Sequence, residues 1–151
     1  MKIIESQESN DGTTQKILQK TTDKYITETV YVNDSKHFIC YSSQIGCSIG
    51  CAFCYSGINK NFIRNLTKLE IVEQCSNVIK SLGILSDRRK PIKFGCMGVG
   101  EPLLNYENVI DSTFILNEAY PHSIFSLATV GLKAELISGF LWTLKMLKSI
   151  Y

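Results

Sequence analysis

The chain lacks the length for a complete eight-unit strand–helix barrel, which takes roughly 250 residues against the 151 present. At roughly 30 residues per strand–helix unit, three or four units are the ceiling. It also lacks a strong charge of either sign. Sixteen Lys and Arg against fourteen Asp and Glu leave +2, which neither demands nor excludes a nucleic-acid partner. No signal-peptide core is present, because Met1 to Asp11 carries Glu5, Glu8 and Asp11. No membrane partner is expected, since the longest uncharged apolar stretch, Leu136–Leu144, falls far short of the ~20 residues a bilayer span needs. Internal repeats and low-complexity tracts are missing too. What remains is a cytoplasmic globular domain, 44% hydrophobic and able to bury a core.

Residues 13–20 and 24–32 read as two strands joined by a polar turn at Thr21–Asp23, the second rich in β-branched and aromatic residues. A turn at Asn33–Lys36 leads to a third strand, His37–Ser42, and then to a glycine-punctuated loop, Gln44–Gly57. Thr67 followed three residues later by Glu70 forms a capping box. It starts a helix whose apolar face is Leu69, Val72, Cys75, Ile79 and Leu82. Pro91–Met97 is a short buried-type strand followed by a loop, Gly98–Asn105, with Asn105 placed to cap a helix over 106–119 that carries Val109, Ile110, Phe114 and Leu116. Ser123–Val130 is a further strand, and Gly131 opens onto a last helix over Ala134–Lys148. Alternating strands and helices argue for parallel strands with helices packed outside.

Six cysteines in a reducing compartment read as ligands, catalysts or core filler rather than disulfides. Cys47, Cys51 and Cys54 lie within eight residues, whereas Cys40, Cys75 and Cys96 are scattered. Three thiolates on one short loop suit zinc or an iron–sulfur cluster. A closed tetrahedral site needs a fourth protein ligand, and none stands nearby in matching register. Three points to a four-iron cluster with one iron open to a small molecule. A redox dithiol at Cys51 and Cys54, and a zinc site that adds His37 or Cys40, are the alternatives.

The run Cys47-Ser-Ile-Gly-Cys51-Ala-Phe53-Cys54 resembles the cluster motif of radical S-adenosylmethionine (SAM) enzymes. In that family the open iron binds the amino and carboxylate groups of SAM, and one electron then cleaves SAM to a radical. The hard chemistry belongs to the cofactors. Four further segments are similar to successive motifs of the ribosomal-RNA adenine methyltransferase branch, the dual-specificity rRNA and tRNA enzymes and the related resistance methylase. They are the strand containing Glu28-Thr-Val-Tyr-Val32, the run Ile39–Cys47, the run Asn61–Thr67, and Gly98-Val-Gly-Glu-Pro-Leu-Leu-Asn105. The resemblance spans about Asp11 to Gly131.

The resemblance implies a 4Fe-4S cluster on Cys47, Cys51 and Cys54, with Phe53 packed near SAM. It implies that Gly98, Gly100 and Glu101 form the SAM-binding element, with Gly100 and Glu101 meeting the SAM ammonium, and that Glu28 abstracts a proton. Without it, Gly98–Pro102 is a strand-to-helix turn that uses glycine for geometry, Glu101 is a solvated loop charge, and Glu28 is an exposed strand residue. Departures from the family accompany the match. Leu127-Ala128-Thr129-Val-Gly131 stands where the family has Leu-Ser-Thr-x-Gly, so a hydroxyl that contacts SAM is lost at Ala128. The chain stops before the half-barrel that carries the methyl-accepting cysteine, and Cys40, Cys75 and Cys96 do not align with it. Each of those three reads as small core filler. Lys60, Arg64 and Lys68 form a basic stretch that is either a solvated helix approach or a contact for RNA phosphates.

The last helix is apolar over more than one face, through Leu136, Ile137, Phe140, Leu141, Trp142, Leu144, Met146 and Leu147. It therefore expects burial on several sides. Self-association through it and through the edge of the Ser123–Val130 strand would supply that cover, as would more chain. The resulting expectation is an α/β fold: a partial barrel of about three parallel units (37–151) preceded by an antiparallel hairpin (1–36). The implied function is radical SAM chemistry resembling adenine methylation of ribosomal or transfer RNA, with an electron donor such as a flavodoxin, in a truncated chain. Methyl transfer lacks its acceptor cysteine. A non-catalytic remnant or partner-binding module that keeps the cluster loop, and a zinc-binding module, are the other classes.

Overall fold

A computed structural model describes residues 1–58, 61–87, 89–132 and 134–149. The chain opens with a three-stranded antiparallel meander, β1 (Lys2–Glu8), β2 (Thr14–Lys20) and β3 (Ile26–Asn33). β4 (His37–Tyr41) pairs antiparallel with β3 and so continues the same sheet. A two-residue ribbon follows, β5 (Gln44–Ile45) and β6 (Arg64–Asn65), enclosing the short helix α1 (Tyr55–Ile58). Then come α2 (Lys68–Ser81), β7 (Ile92–Cys96), α3 (Tyr106–Ala119), β8 (Ile124–Leu127) and α4 (Ala134–Ser149). The six-stranded sheet has the order β1-β2-β3-β4-β7-β8, with β4, β7 and β8 parallel. α2 carries the β4–β7 crossover and α3 the β7–β8 crossover, the arrangement of strand–helix units expected from the sequence.

The expected hairpin is a meander of three strands. β1 escaped sequence reading because Lys-Ile-Ile-Glu-Ser-Gln-Glu buries almost nothing; as the edge strand it needs only backbone pairing to β2. Ser123–Val130 shortens to Ile124–Leu127, the residues in ladder register with β7.

α2 begins at the expected capping box. The Thr67 hydroxyl accepts from the Glu70 N–H at 3.2 Å, and the Glu70 carboxylate accepts from the Thr67 N–H at 2.9 Å. Ile71, Cys75, Val78 and Ile79 are buried against the sheet beside Ile17, Ile39, Tyr41 and Phe94. Each aliphatic chain removed from water there contributes about 1.5–3 kcal/mol. The buried stripe lies further round the helix than the sequence implied: Leu69 is 66% exposed, while Gln74 occupies the centre of the face. Phe114 on α3 is likewise exposed rather than buried.

Gln74 is fully buried and hydrogen-bonded through both its side-chain oxygen and its nitrogen. Its carbonyl oxygen accepts from the Thr29 hydroxyl (3.0 Å) and the Ser42 N–H (2.9 Å), and its amide donates to the Ser42 carbonyl (3.0 Å). Its side chain thus replaces a strand partner at the point where β4 ends. Gln19 donates to the Gln74 backbone carbonyl at 2.9 Å, so α2 is fastened to β2, β3 and β4 together. A polar group so placed costs nothing while paired and much when its partners are lost.

The parallel strands end at Tyr41, Cys96 and Leu127, and the loops that follow them converge. On α4, Phe140 is buried whereas Leu141 and Trp142 stand exposed; the side chains of Leu144, Met146 and Leu147 lie outside the described residues. β8 forms the other edge of the sheet. Among the described residues no helix is long and apolar enough to cross a membrane.

Candidate functional site

The three-cysteine loop runs from Gly46 to Ile63 and is pinched at its neck. β5 and β6 pair antiparallel through Gln44–Asn65 and Ile45–Arg64, and the Ile63 N–H donates to the Ile45 carbonyl at 2.9 Å. Gly46 sits where the two strands of the neck cross, at φ +74°. A Cβ there would overlap the Asn61 carbonyl and reach 3.0 Å from the Phe62 Cα, so only glycine fits ahead of the first cysteine. Inside the loop Cys47 is buried, Cys51 and Cys54 are half-buried, and none forms a disulfide. The Cys54 N–H donates to the Cys51 carbonyl (3.1 Å), and Gly57 and Ile58 donate to the Cys54 carbonyl (2.9 and 3.1 Å), which starts α1 at the last cysteine. Phe53 is 91% exposed on the outside of the loop, and Tyr55 is exposed beside it.

The glycine loop after β7 packs directly on the segment that follows β4. Gly98 N–H donates to the Tyr41 carbonyl at 3.0 Å, and a Cβ on Gly98 would lie 2.7 Å from the Ser42 hydroxyl. The Val99 carbonyl accepts from both Ser43 and Gln44 (3.0 and 3.2 Å). Gly100 adopts φ +110°, and a Cβ there would press on the Gln44 Cβ at 2.7 Å. Glu101 is only 3% exposed. Its carboxylate accepts from the Thr129 hydroxyl (2.5 Å), the Leu103 N–H (3.0 Å) and the Val130 N–H (3.0 Å). It thereby caps a 3-10 turn at Pro102–Asn105 and ties down the segment after β8. Ala128, next to Thr129, is exposed, and its N–H extends the β7–β8 pairing to the Cys96 carbonyl. Thr129 carried no sequence signal beyond its neighbour, because its partner is 28 residues away.

Asn105 does not cap α3. Its side-chain amide is buried and donates to the carbonyls of Ser43 (2.8 Å) and Leu66 (2.7 Å), joining the glycine loop to both ends of the cysteine loop. The 3-10 turn runs straight into α3, so no cap is needed there.

Glu28 lies on β3 on the opposite face from Thr27 and Thr29, which are buried. Its carboxylate pairs with Lys16 Nζ at 2.8 Å, both partly exposed, and its backbone carbonyl accepts from the Ser42 hydroxyl at 2.7 Å. The hydrogen bond to Glu28, then its charge, raises the Lys16 pKa. Two members of the basic stretch, Arg64 and Lys68, are neutralised by acidic partners. Arg64 forks between Asp23 and Glu70 with four contacts of 2.8 Å, and Lys68 pairs with Asp111 at 2.8 Å. Lys60 lies outside the described residues.

The scattered cysteines differ from the loop trio. Burial pushes the Cys96 thiol up to about 12 and the Cys75 thiol well above its ordinary value. Burial also raises Cys40, which is half-buried on the Glu28 face of the sheet. Cys75 and Cys96 are therefore inert packing groups, as small core filler should be. A hollow of about 480 Å³ at the opposite ends of the parallel strands, lined in part by Ile84, Arg89, Ile92 and Tyr120, touches none of the site residues named above.

The chain is 41% identical over 113 residues to a dual-specificity RNA methyltransferase RlmN of Desulfosudis oleivorans, a match covering 74% of the chain and 29% of the relative. It is 38% identical over 143 residues to a probable RlmN of Thermotoga neapolitana, covering 91% of the chain and 40% of the relative. A crystal structure of a radical SAM methyltransferase from Sphaerobacter thermophilus superposes with a TM-score of 0.77 at 30% identity, over 86% of the chain and 39% of that protein. By sequence and fold, the chain is a relative of the radical SAM methyltransferases. It spans 29–40% of the length of these proteins. No protein-family model matches the chain.

For a radical SAM relative the donor set is the right one: three cysteines free of disulfides on a single loop whose neck is pinned by main-chain pairing. Thiolates of this kind hold iron–sulfur clusters. Among the described residues, however, no three His, Cys, Asp or Glu side chains stand in an arrangement that holds a metal ion. The fold brings the three cysteines onto one loop.

Proposed function

We propose that this chain binds a 4Fe-4S cluster on Cys47, Cys51 and Cys54, and SAM at the carboxyl ends of β4, β7 and β8, as the cofactor-binding part of a radical SAM RNA adenine methyltransferase. The observation that carries this reading is the junction of the two loops. The neck of the cysteine loop and the Gly98–Glu101 turn meet through Ser42, Ser43 and Gln44 at the ends of parallel strands, where ligands of such sheets lie. The cluster supplies the single electron that breaks a carbon–sulfur bond of SAM. The chain's own residues bind and orient. Gly98 and Gly100 bring backbone close to where SAM would lie, and Glu101 fixes the turn that follows β8. Phe53 offers an exposed ring, and Glu28, held by Lys16 on the opposite sheet face from α2, is the base.

The relatives are named as dual-specificity RNA methyltransferases, which favours RNA as substrate; the proposal places the chain in the cytoplasm with ribosomal or transfer RNA and a flavodoxin-like electron donor. Methyl transfer by this chain is not part of the reading, because none of Cys40, Cys75 and Cys96 aligns with the methyl-accepting cysteine of the family, and Cys75 and Cys96 are in addition buried. Two observations favour a second reading, a module that keeps the cluster loop without turnover. The hydroxyl is absent at Ala128, and the Glu101 carboxylate is already occupied by three donors of the chain.

Anaerobic reconstitution decides between them. Iron and sulfide uptake that is lost in Cys51→Ala, followed by 5′-deoxyadenosine release on reduction with SAM, supports the first reading. A full cluster without SAM cleavage supports the second, and bound zinc without iron uptake overturns both.

A further inference from the structure

Gln44 holds neither cluster nor SAM in the reading above, yet it is the residue on which both loops close. It lies in β5, three residues before Cys47, and is 1% exposed. Its side-chain carbonyl accepts from the Glu101 N–H at 2.9 Å, and its amide nitrogen donates to the Asn65 side-chain oxygen at 2.8 Å. Asn65 in turn donates to the Leu104 carbonyl at 3.1 Å, so the chain of bonds leaves the glycine loop and returns to it. The Gln44 stem fills the space a Gly100 side chain would take, 2.7 and 2.8 Å from its Cβ and Cγ, and its N–H reaches the Val99 carbonyl. One buried residue therefore touches three consecutive residues of the glycine loop, Val99 through its backbone N–H and Gly100 and Glu101 through its side chain, while belonging to the neck of the cysteine loop.

We propose that Gln44 is a positioning residue that sets the Gly100–Glu101 peptide in register with the cysteine loop, so that SAM and the cluster are held at one fixed separation. The inference rests on the cluster-and-SAM reading of the site. The amide is specific to the task, because it must accept on the Glu101 side and donate on the Asn65 side. A carboxylate of the same shape keeps the first bond and loses the second; leucine loses both and leaves the buried Glu101 N–H unpaired.

The test compares the parent chain with Gln44→Leu and Gln44→Glu. Each is followed by amide hydrogen exchange before reconstitution, then by iron content and by the change that SAM causes in the reduced cluster's electron paramagnetic resonance spectrum. Both variants should take up iron as the parent does. Exchange over residues 98–105 should quicken in Gln44→Leu, and SAM binding should weaken at least tenfold, with Gln44→Glu intermediate. Gln44→Glu decides alone if Gln44→Leu does not fold. Normal iron with SAM binding within twofold of the parent in the folded variants overturns the role of Gln44 and leaves the site reading intact. Loss of iron uptake along with SAM binding also overturns it, since Gln44 would then serve the neck alone. Failure of the parent itself to take up iron or bind SAM overturns the site reading and the inference with it.

Discussion

Replacing Gly46 with alanine tests the neck of the cysteine loop most directly. At φ +74° an alanine costs about 1–2 kcal/mol in the left-handed region. Its Cβ also overlaps the Asn61 carbonyl, which is backbone and cannot rotate away. The returning strand must shift, endangering the Ile63-to-Ile45 hydrogen bond and the two-residue β5–β6 pairing. At about 1 kcal/mol for each main-chain bond, the total loss comes to roughly 3–4 kcal/mol. Gly83 provides the control. Its φ is +61°, but nothing lies within 4 Å of a Cβ built there, so Gly83→Ala pays the conformational cost alone. Urea unfolding, read as a shift in midpoint at constant slope, should place Gly46→Ala about 1.5 kcal/mol or more below Gly83→Ala. Amide exchange should quicken over residues 61–65 in the first variant only. Equal losses in the two variants would refute the crossing of the neck at Gly46.

Asp23 gives a pH test. Its hydrogen bonds to Arg64, with a further one from Thr21, lower its pKa from 3.8 to about 2. A carboxylate depressed in the folded state contributes stability that is complete above the unfolded value and fades as pH falls through the folded one. Unfolding free energy should therefore decline between pH 4 and pH 2, and Asp23→Asn should flatten that decline; an unchanged slope would deny the ion pair a role. Thiol reactivity gives another. At pH 8, iodoacetamide should label Cys51 and Cys54 well before Cys75 and Cys96, which burial holds in the thiol form. Peptide mass spectrometry that found Cys75 labelled as fast as Cys51 would contradict the burial of α2 against the sheet.

Local signals in the sequence carried far. The capping box at Thr67 and Glu70 forms where the sequence places it, and the longer strands and helices from His37 onward take the expected order, while β5, α1 and β6 lie in what reads as loop. Both are short-range properties, set by hydrogen bonds within four residues or by the spacing of apolar groups. The reading failed where the partner lay far along the chain. Asn105 resembles a helix cap in sequence but spends its amide on Ser43 and Leu66, 62 and 39 residues away. Arg64 looks free to meet a phosphate but is held by Asp23, 41 residues upstream. The only trace of Gln74 was a polar residue on an apolar helical face.

The sequence by itself determined the chemistry on offer: three thiols at spacings that suit a cluster, a glycine turn after a strand, and parallel strand–helix units to carry them. Such motifs are contiguous, so residue identity and spacing suffice to read them. Only the tertiary structure decided how they are joined. The two-residue strands of the neck are too short to have a period, β1 is too polar to announce itself, and side-chain amides such as those of Gln44 and Asn65 obey no pattern. They are fixed by the need to pair every buried donor and acceptor once the chain has folded around them.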